Sequence, residues 1–324
     1  MLMDFVRVAS AVLALLGGSL SSAMAVDLYP SRPVHIVVGF GAGSAADLTA
    51  RVVAQRLSQT MGQRFVVENK PGAGSTLAAE QVVRAPKDGY TIFLSTVANV
   101  INDALQPNLP FDFSKDFAPV TLATSSALVL VAHPSTGISS VQDLISRAKQ
   151  EPGKVFFASS GVGTAPHLSG ELFNMLTGVK MVHVPYQGSA QAITDLLAGR
   201  TQVMFSPVST ALPHIKSGAL KGIATTEAKR SSELPDLPTV SEAGVKGFDT
   251  SLWLGFSAPM GVPKEIIGKL SDGINEALKD RSTASALQKA GLEIDGGSPA
   301  EFSTFITEET KKWKAVVNSA GLRK

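Results

Sequence analysis

The chain has 324 residues, room for about two domains of roughly 150 residues each, and with 44% hydrophobic against 17% charged residues it can bury a sizeable core. Twenty-nine Lys and Arg against 27 Asp and Glu leave a formal charge of +2, too small and too evenly spread for a nucleic-acid partner. The absence of cysteine excludes disulfides, thiolate metal sites, a cysteine nucleophile and iron–sulfur chemistry, and 6% aromatic residues argue against a stacking platform for bases or long sugars.

Residues 1–25 read as an export signal. Arg7 supplies a basic start, diluted by Asp4. Val8 to Leu20 is an apolar run, and Ala23-Met24-Ala25 predicts cleavage after Ala25. The run is shorter than the roughly 20 residues needed to span a membrane. A cysteine-free exported chain fits the bacterial periplasm, where enzymes of NAD, ATP and GTP are poor expectations. No cofactor is expected.

Beyond the signal, short β-branched runs alternate with helical periodicity, which predicts an α/β protein. Residues 34–38 read as a buried strand, followed by a Gly/Ala/Ser loop. Leu48, Val52, Val53, Leu57 and Met61 then recur at helical spacing until Gly62. Strands are predicted at 65–67 and 91–94, around a helix near 76–84. Further strands are predicted at 120–122 and 128–132, and Ser140-x-x-Asp143 opens a helix to about Lys149. A second set of units follows: strands at 155–158, 181–184, 203–205 and 220–225, with helices through Leu168, Leu172 and Leu176, over 189–198 and near 210–217. The Pro-rich stretch 234–240 reads as a loop, and a strand at 253–258 should return the chain to the first half. Two helices, about 263–281 and 299–319, finish it, the second opened by Ser298-Pro299.

Two loops share one form, a strand, a turn of small residues and a helix start. The first is Gly39-Phe40-Gly41-Ala42-Gly43-Ser44-Ala45-Ala46-Asp47, the second Ser159-Ser160-Gly161-Val162-Gly163-Thr164-Ala165-Pro166-His167. Small residues let backbone N–H groups approach a ligand, and the helix N-terminus favours an anion. Open α/β sheets bind ligands at this end of their strands. A dinucleotide fingerprint fails at Ser44, where a third glycine belongs, and no Gly-Lys-Ser/Thr follows for a P-loop. A tight turn that merely needs small residues remains the structural alternative, and Asp47 reads as a first-turn partner of the helix that can also hold loop amides. His35 and His183 lie in strand patterns and read as structural, as does His133 before Pro134. His167 can contact a ligand, cap or pack. No Gly-x-Ser-x-Gly elbow or His-Glu-x-x-His motif occurs, and Ser146-x-x-Lys149 sits on a charged helix without companion motifs.

Ordered motifs run along the chain: Tyr29-Pro30-Ser31-Arg32-Pro33-Val34, the first loop through Asp47 and Arg51, Val67-Glu68-Asn69-Lys70-Pro71-Gly72-Ala73-Gly74, and Pro86-Lys87-Asp88-Gly89-Tyr90-Thr91. Later stand the second loop, His183-Val184-Pro185-Tyr186-x-Gly188, and 234–244 from Leu234 to Gly244. By these motifs the chain from Tyr29 to Lys324 resembles the Bug family, the extracytoplasmic receptors of tripartite tricarboxylate transporters. The resemblance implies a type II periplasmic binding fold with two α/β lobes, a ligand cleft between them and two crossover strands. Lobe 1 would be 27–126 plus 250–324 and lobe 2 would be 127–249.

Carried over by position, it implies ligand contacts at Phe40, Gly41, Ala42, Gly43, Ser44, Ala45, Ala46 and Asp47, at Gly74, Ser75 and Thr76, and at Ser95 and Thr96. In lobe 2 it implies Ser159, Ser160, Gly161, Gly163, Thr164, His167, Tyr186 and Ser206. The sequence departs from the common pattern at Ser206 and Pro207, where many relatives have Asp and Asn, at Gln187 for a frequent Lys, and at Ala46 for a frequent hydroxyl residue. These changes predict a pocket tolerant of a less polar carboxylate, an aromatic acid or a dicarboxylate being the candidates. The function implied is a non-catalytic, monomeric, periplasmic solute-binding protein that hands a small carboxylate to membrane permease subunits. A receptor signalling to a sensor kinase is the alternative, with a periplasmic hydrolase or lyase behind it.

Overall fold

The structure, a computed structural model, describes residues 29–323 except Pro107 and Gln187. The export signal at 1–25 with its cleavage site, and the departure at Gln187, lie outside the described residues. A compact unit begins at Arg32.

In chain order the elements are β1 (Val34–Val38), α1 (Ala45–Thr60), β2 (Phe65–Asn69), α2 (Thr76–Val83), β3 (Thr91–Thr96), α3 (Val97–Leu105), α4 (Phe113–Asp116) and β4 (Phe117–Ala132). There follow α5 (Val141–Gln150), β5 (Phe156–Ser159), α6 (Ala165–Thr177), β6 (Val182–Pro185), α7 (Ser189–Leu197), β7 (Val203–Pro207), α8 (Val208–Lys216) and β8 (Lys221–Thr225). The chain closes with β9 (Ser251–Pro259), α9 (Lys264–Lys279), α10 (Arg281–Lys289), β10 (Glu293–Ile294) and α11 (Pro299–Ser319).

The strand order is β2-β1-β3-β9-β4-β7-β5-β6, with β8 and β10 also paired to β4. β1 is parallel to β2 and β3, and β5 to β6 and β7, the arrangement expected for near-continuous buried runs covered by helices on both faces. β4 joins the two halves. Its residues through Ala127 pair antiparallel with β9 and β10, and from Leu128 onward it pairs antiparallel with β7 and β8. The fold is therefore two α/β lobes linked through β4 and through the segment leading into β9. Thr226 ties these two links together: its amide donates to the Leu128 carbonyl at 3.0 Å and its hydroxyl to the Thr250 carbonyl at 2.6 Å.

Several elements differ from expectation, among them the short α4 and β10, which were not expected. The strands expected at 120–122 and 128–132 are one strand, because the intervening Ala123 to Ala127 find partners on β9 that only the tertiary fold supplies. The helix expected over 263–281 ends at Lys279, where Asp280 turns extended and its side chain accepts from the Ser282 and Thr283 amides, opening the separate helix α10. α3 was not expected at all. It follows β3 with no intervening turn residue, started by a capping box in which Thr96 and Asn99 satisfy each other's backbone.

The core runs through both lobes. In lobe 1 Phe117 lies 5.4 Å from Phe93 and 5.0 Å from Phe113 between ring centroids. In lobe 2 Phe205 lies 5.9 Å from Phe173 and 5.8 Å from Phe248. Each such fully buried ring contributes about 1.5–3 kcal/mol from removal of apolar area from water. Where β9 meets α11, both tryptophans of the chain donate to one buried carboxylate oxygen, Oε2 of Glu309, at 2.9 Å each, and Lys312 pairs with the other oxygen.

Candidate functional site

The first Gly-rich loop connects β1 to α1 and is shaped from behind. A Cβ on Gly39 would lie 1.9 Å from the Ser75 hydroxyl oxygen, so only glycine fits there. Gly43 turns through φ +82° and donates its amide to Asp47 Oδ2 at 2.9 Å. Asp47 Oδ1 accepts from Arg51 Nε and Asn69 Nδ2, both at 2.9 Å, and the same Asn69 amide group donates to the Phe40 carbonyl at 3.0 Å. Burial alone would raise the Asp47 carboxyl, but the hydrogen bonds from Arg51, Gly43 and Asn69 outweigh it and hold it below the usual carboxylate range. Asp47, Arg51 and Asn69 are thus the scaffold of the loop.

The second loop, between β5 and α6, repeats the device with different chemistry. Gly163 donates its amide to Nδ1 of His167, four residues on, at 3.1 Å. The Ser159 hydroxyl accepts from the Gly161 amide at 3.1 Å and lies 2.6 Å from His183 Nε2, while Thr164 Oγ1 donates to the Gly161 carbonyl at 2.7 Å. His167 and His183 stack with centroids 3.8 Å apart, and Phe157 stacks on His183 at 5.1 Å. Burial pushes His167 down to about 3, helped by the neighbouring His183, and burial pushes His183 down to about 4. Both rings are neutral at ordinary pH. Since Nδ1 of His167 accepts, its proton sits on Nε2, 3.8 Å from Glu171, whose carboxyl is itself raised by burial.

The two loops meet at a cavity of about 330 Å³ in the cleft. Of the residues expected at the site, Phe40, Ser44, Ala45, Ala46, Thr96, Ser160 and Thr164 line it. The others are placed around it. Gly41, Ala42, Gly43, Gly161 and Gly163 form the loop turns, and Asp47, Ser159 and His167 hold those turns from beneath, with His167 only 1% exposed. Gly74, Ser75 and Thr76 lie at the start of α2 outside the lining, and Ser75 packs under Gly39. The Ser95 hydroxyl is turned into the sheet, donating to the Gly255 carbonyl at 2.9 Å. Tyr186 donates its hydroxyl to Asp195 at 2.9 Å, and buried Ser206 donates to the Pro207 carbonyl at 3.2 Å.

Sequence reasoning missed much of the lining. Val97 and Ala98 belong to the unexpected helix α3. Ala165 and Pro166 open α6, Ser189 opens α7, and Pro207, Ser209 and Thr210 open α8. Ser126 on β4, Leu252 to Leu254 on β9, and Ala290 and Leu292 between α10 and β10 complete it. The signal that could have found Ser189 and Pro207 was present: each stands between a strand and a helix, as the two Gly-rich loops do.

Five helices therefore present their N-termini to one cavity, α1 and α3 from one lobe and α6, α7 and α8 from the other. Ser44 and Thr96 cap the first two with their side chains, whereas α6, α7 and α8 have no side-chain cap at Thr164, Gly188 or Pro207. Each N-terminus carries about half a positive charge and unpaired N–H groups. Among the described residues no ionisable side chain lines the cavity. Such a site attracts an anion through backbone amides and hydroxyls alone.

A family model described as the tripartite tricarboxylate transporter family receptor matches residues 49–322. Protein BugT of Bordetella pertussis is 34% identical over 306 residues, 94% of this chain and 94% of that protein. Among solved structures, R. palustris Rpa4515 with adipate is 36% identical with a TM-score of 0.77, covering 90% of this chain and 98% of that one. The structure of the periplasmic binding protein BugD is 33% identical with a TM-score of 0.74, covering 91% and 100%.

Proposed function

The chain belongs to the tripartite tricarboxylate transporter receptor family, and from that premise we propose that its cleft captures a small carboxylate and delivers it to a membrane permease. The family is one of periplasmic solute-binding receptors, not enzymes. The observation that carries the reading is the convergence of five helix N-termini on a cavity of about 330 Å³. That volume is at the small end of the range for ligand pockets. The adipate held by Rpa4515 supports a carboxylate as the anion here.

The contacts we assign are Phe40, Ser44, Ala45, Ala46, Thr96, Ser160 and Thr164, with Asp47, Ser159, Gly163 and His167 holding the loops in shape. Lobe 1 comprises 27–126 and 250–324 and lobe 2 comprises 127–249, a division supported by the change of partners along β4 at Ala127 and Leu128. The protein acts as a monomer that opens and closes about β4 and the run into β9, after export and removal of residues 1–25. The mass of the periplasmic form tests that cleavage.

The binding reading is tested by thermal shift on refolded, ligand-stripped protein against aliphatic, amino-acid and aromatic carboxylates. A ligand at a hundredfold excess over Kd adds about 2.7 kcal/mol to stability, a rise of several degrees. Well-folded protein with no rise for any carboxylate would overturn the assignment.

A further inference from the structure

Thr226, which ties the two links between the lobes, is bonded in both directions. The Leu128 amide donates to its hydroxyl at 3.1 Å and the Thr250 amide to its carbonyl at 3.0 Å. A carboxylate stands beside each of these threonines. Glu227 follows Thr226, Asp249 precedes Thr250, and the Ala228 amide donates to Asp249 Oδ1 at 3.2 Å, which holds the two segments together. Two further carboxylates come from the other lobe. Glu293 lies opposite Ser125 in the β4–β10 register and accepts from the Ser232 hydroxyl at 3.2 Å, and the Asp295 amide donates to the Ala123 carbonyl at 3.2 Å. The cations around this point are directed elsewhere. Lys312 of α11 donates to the Asp249 carbonyl at 2.8 Å and pairs with Glu309, Arg230 pairs with Glu242 at 2.9 Å, and Lys229 lines a neighbouring cavity with Glu233 and Glu293. The charges that act on half-buried Glu227 are those of Glu293, Asp295 and Asp249, all negative.

We propose that Glu227 is a proton-operated latch at the hinge: protonated, it lets the segment at Thr226 lie against β10 with the lobes together, and ionised, it favours their separation. This rests on the reading of the cleft as one that opens and closes about β4 and the run into β9, and adds its regulation. With the lobes in contact, as Gly163 and Leu105 are here, burial and then repulsion from Glu293, Asp295 and Asp249 push Glu227 up to about 8. Separation of the lobes returns it to water and toward the ordinary glutamate value of 4.5. The closed state therefore binds more protons than the open one, and its advantage is lost as pH rises through 8. A group at about 8 when closed and near its ordinary value when open lowers the closed-to-open ratio about tenfold between pH 7 and pH 9.

The test measures the separation of the lobes and needs no ligand, so its outcome is independent of the carboxylate screen. The chain has no cysteine, and Leu77→Cys with Leu176→Cys places one nitroxide label at an exposed position on each lobe. Pulsed electron paramagnetic resonance on refolded, ligand-stripped protein then gives the populations of the closed and open separations. From pH 7 to pH 9 their ratio should fall by at least about threefold in the labelled parent, and by less than about 1.5-fold after Glu227→Gln, which keeps the shape of the protonated acid. Two populations whose ratio ignores pH, or shifts equally in Glu227→Gln, overturn the latch and leave the opening cleft standing. A single separation at both pH values overturns the latch together with the lobe motion on which it rests.

Discussion

Asp47 and His167 stand in equivalent places, each four residues past a glycine whose amide it accepts. Removing Asp47 strands three donors at once, on Gly43, Arg51 and Asn69. Asp47→Ala should cost about 1–3 kcal/mol in urea denaturation and weaken carboxylate binding about tenfold, because the loop loses its fixed shape. Unchanged affinity would show that the loop's shape does not matter to the ligand. The histidine pair predicts a pH dependence of the opposite lobe. In the unfolded chain both histidines titrate near 6.5, whereas folded His167 and His183 are held neutral down to about 3 and 4. The unfolded state thus binds more protons between these limits, and stability, complete above pH 6.5, falls as pH falls toward 4. At pH 5, still above both folded values, His167 and His183 each account for a loss of about 2 kcal/mol. Denaturation midpoints at pH 7 and pH 5 measure this, and His167→Gln should flatten the difference.

At the scale of the element, the helix N-terminus is the working part. Thr164 occupies the cap position of α6 in extended conformation, yet its side chain donates backwards to Gly161 and leaves the helix uncapped. Thr164→Asp supplies a good cap, worth about 0.5–1 kcal/mol at most sites, and at the same time puts a negative charge where the ligand's carboxylate would sit. Its unfolding midpoint should hold or rise while carboxylate affinity falls at least a hundredfold. Equal affinity would move the anion away from α6. The strands and Gly-rich loops were legible because burial on both faces demands unbroken apolar runs and tight turns demand small residues. α3 was not, since Thr96 and Asn99 start it within an apolar stretch that reads equally well as more strand. α10 was not, since Arg281 to Lys289 carries few apolar residues and its start depends on Asp280.

At the scale of the molecule, the lobes touch across the mouth of the cleft. Gly163 of the second loop, at φ +77°, packs against α3 so closely that a Cβ would come 3.0 Å from Leu105 Cδ1. Beside it Asn102 donates to the Gly74 carbonyl at 2.8 Å. This contact joins the two lobes, so Gly163→Ala should penalise closure through the tight approach. Ligand affinity should fall about five- to tenfold, a conformational penalty of about 1 kcal/mol. Small-angle scattering should show a smaller ligand-induced contraction than in the parent. The same contraction in both proteins would mean that closure does not use this contact.

From the residues alone came the α/β class, the two anion-friendly loops and the family resemblance, because backbone turns and buried strands impose composition locally. Asp47 could even be read as a holder of loop amides. The lining of the cleft was decided elsewhere. Ser126, Leu252 and Leu292 are separated by more than a hundred residues in places, and nothing in the local pattern of any one of them marks a ligand wall. They become one surface only because β4 pairs with β9 along most of its length and β10 docks on its other edge. Likewise His167 follows a glycine-rich loop just as a ligand contact would, and only its stacking on His183 beneath that loop turns it from a contact into a support. Local sequence sets conformation, but which side chains share a cavity depends on pairings between distant strands, which is a property of the packed chain.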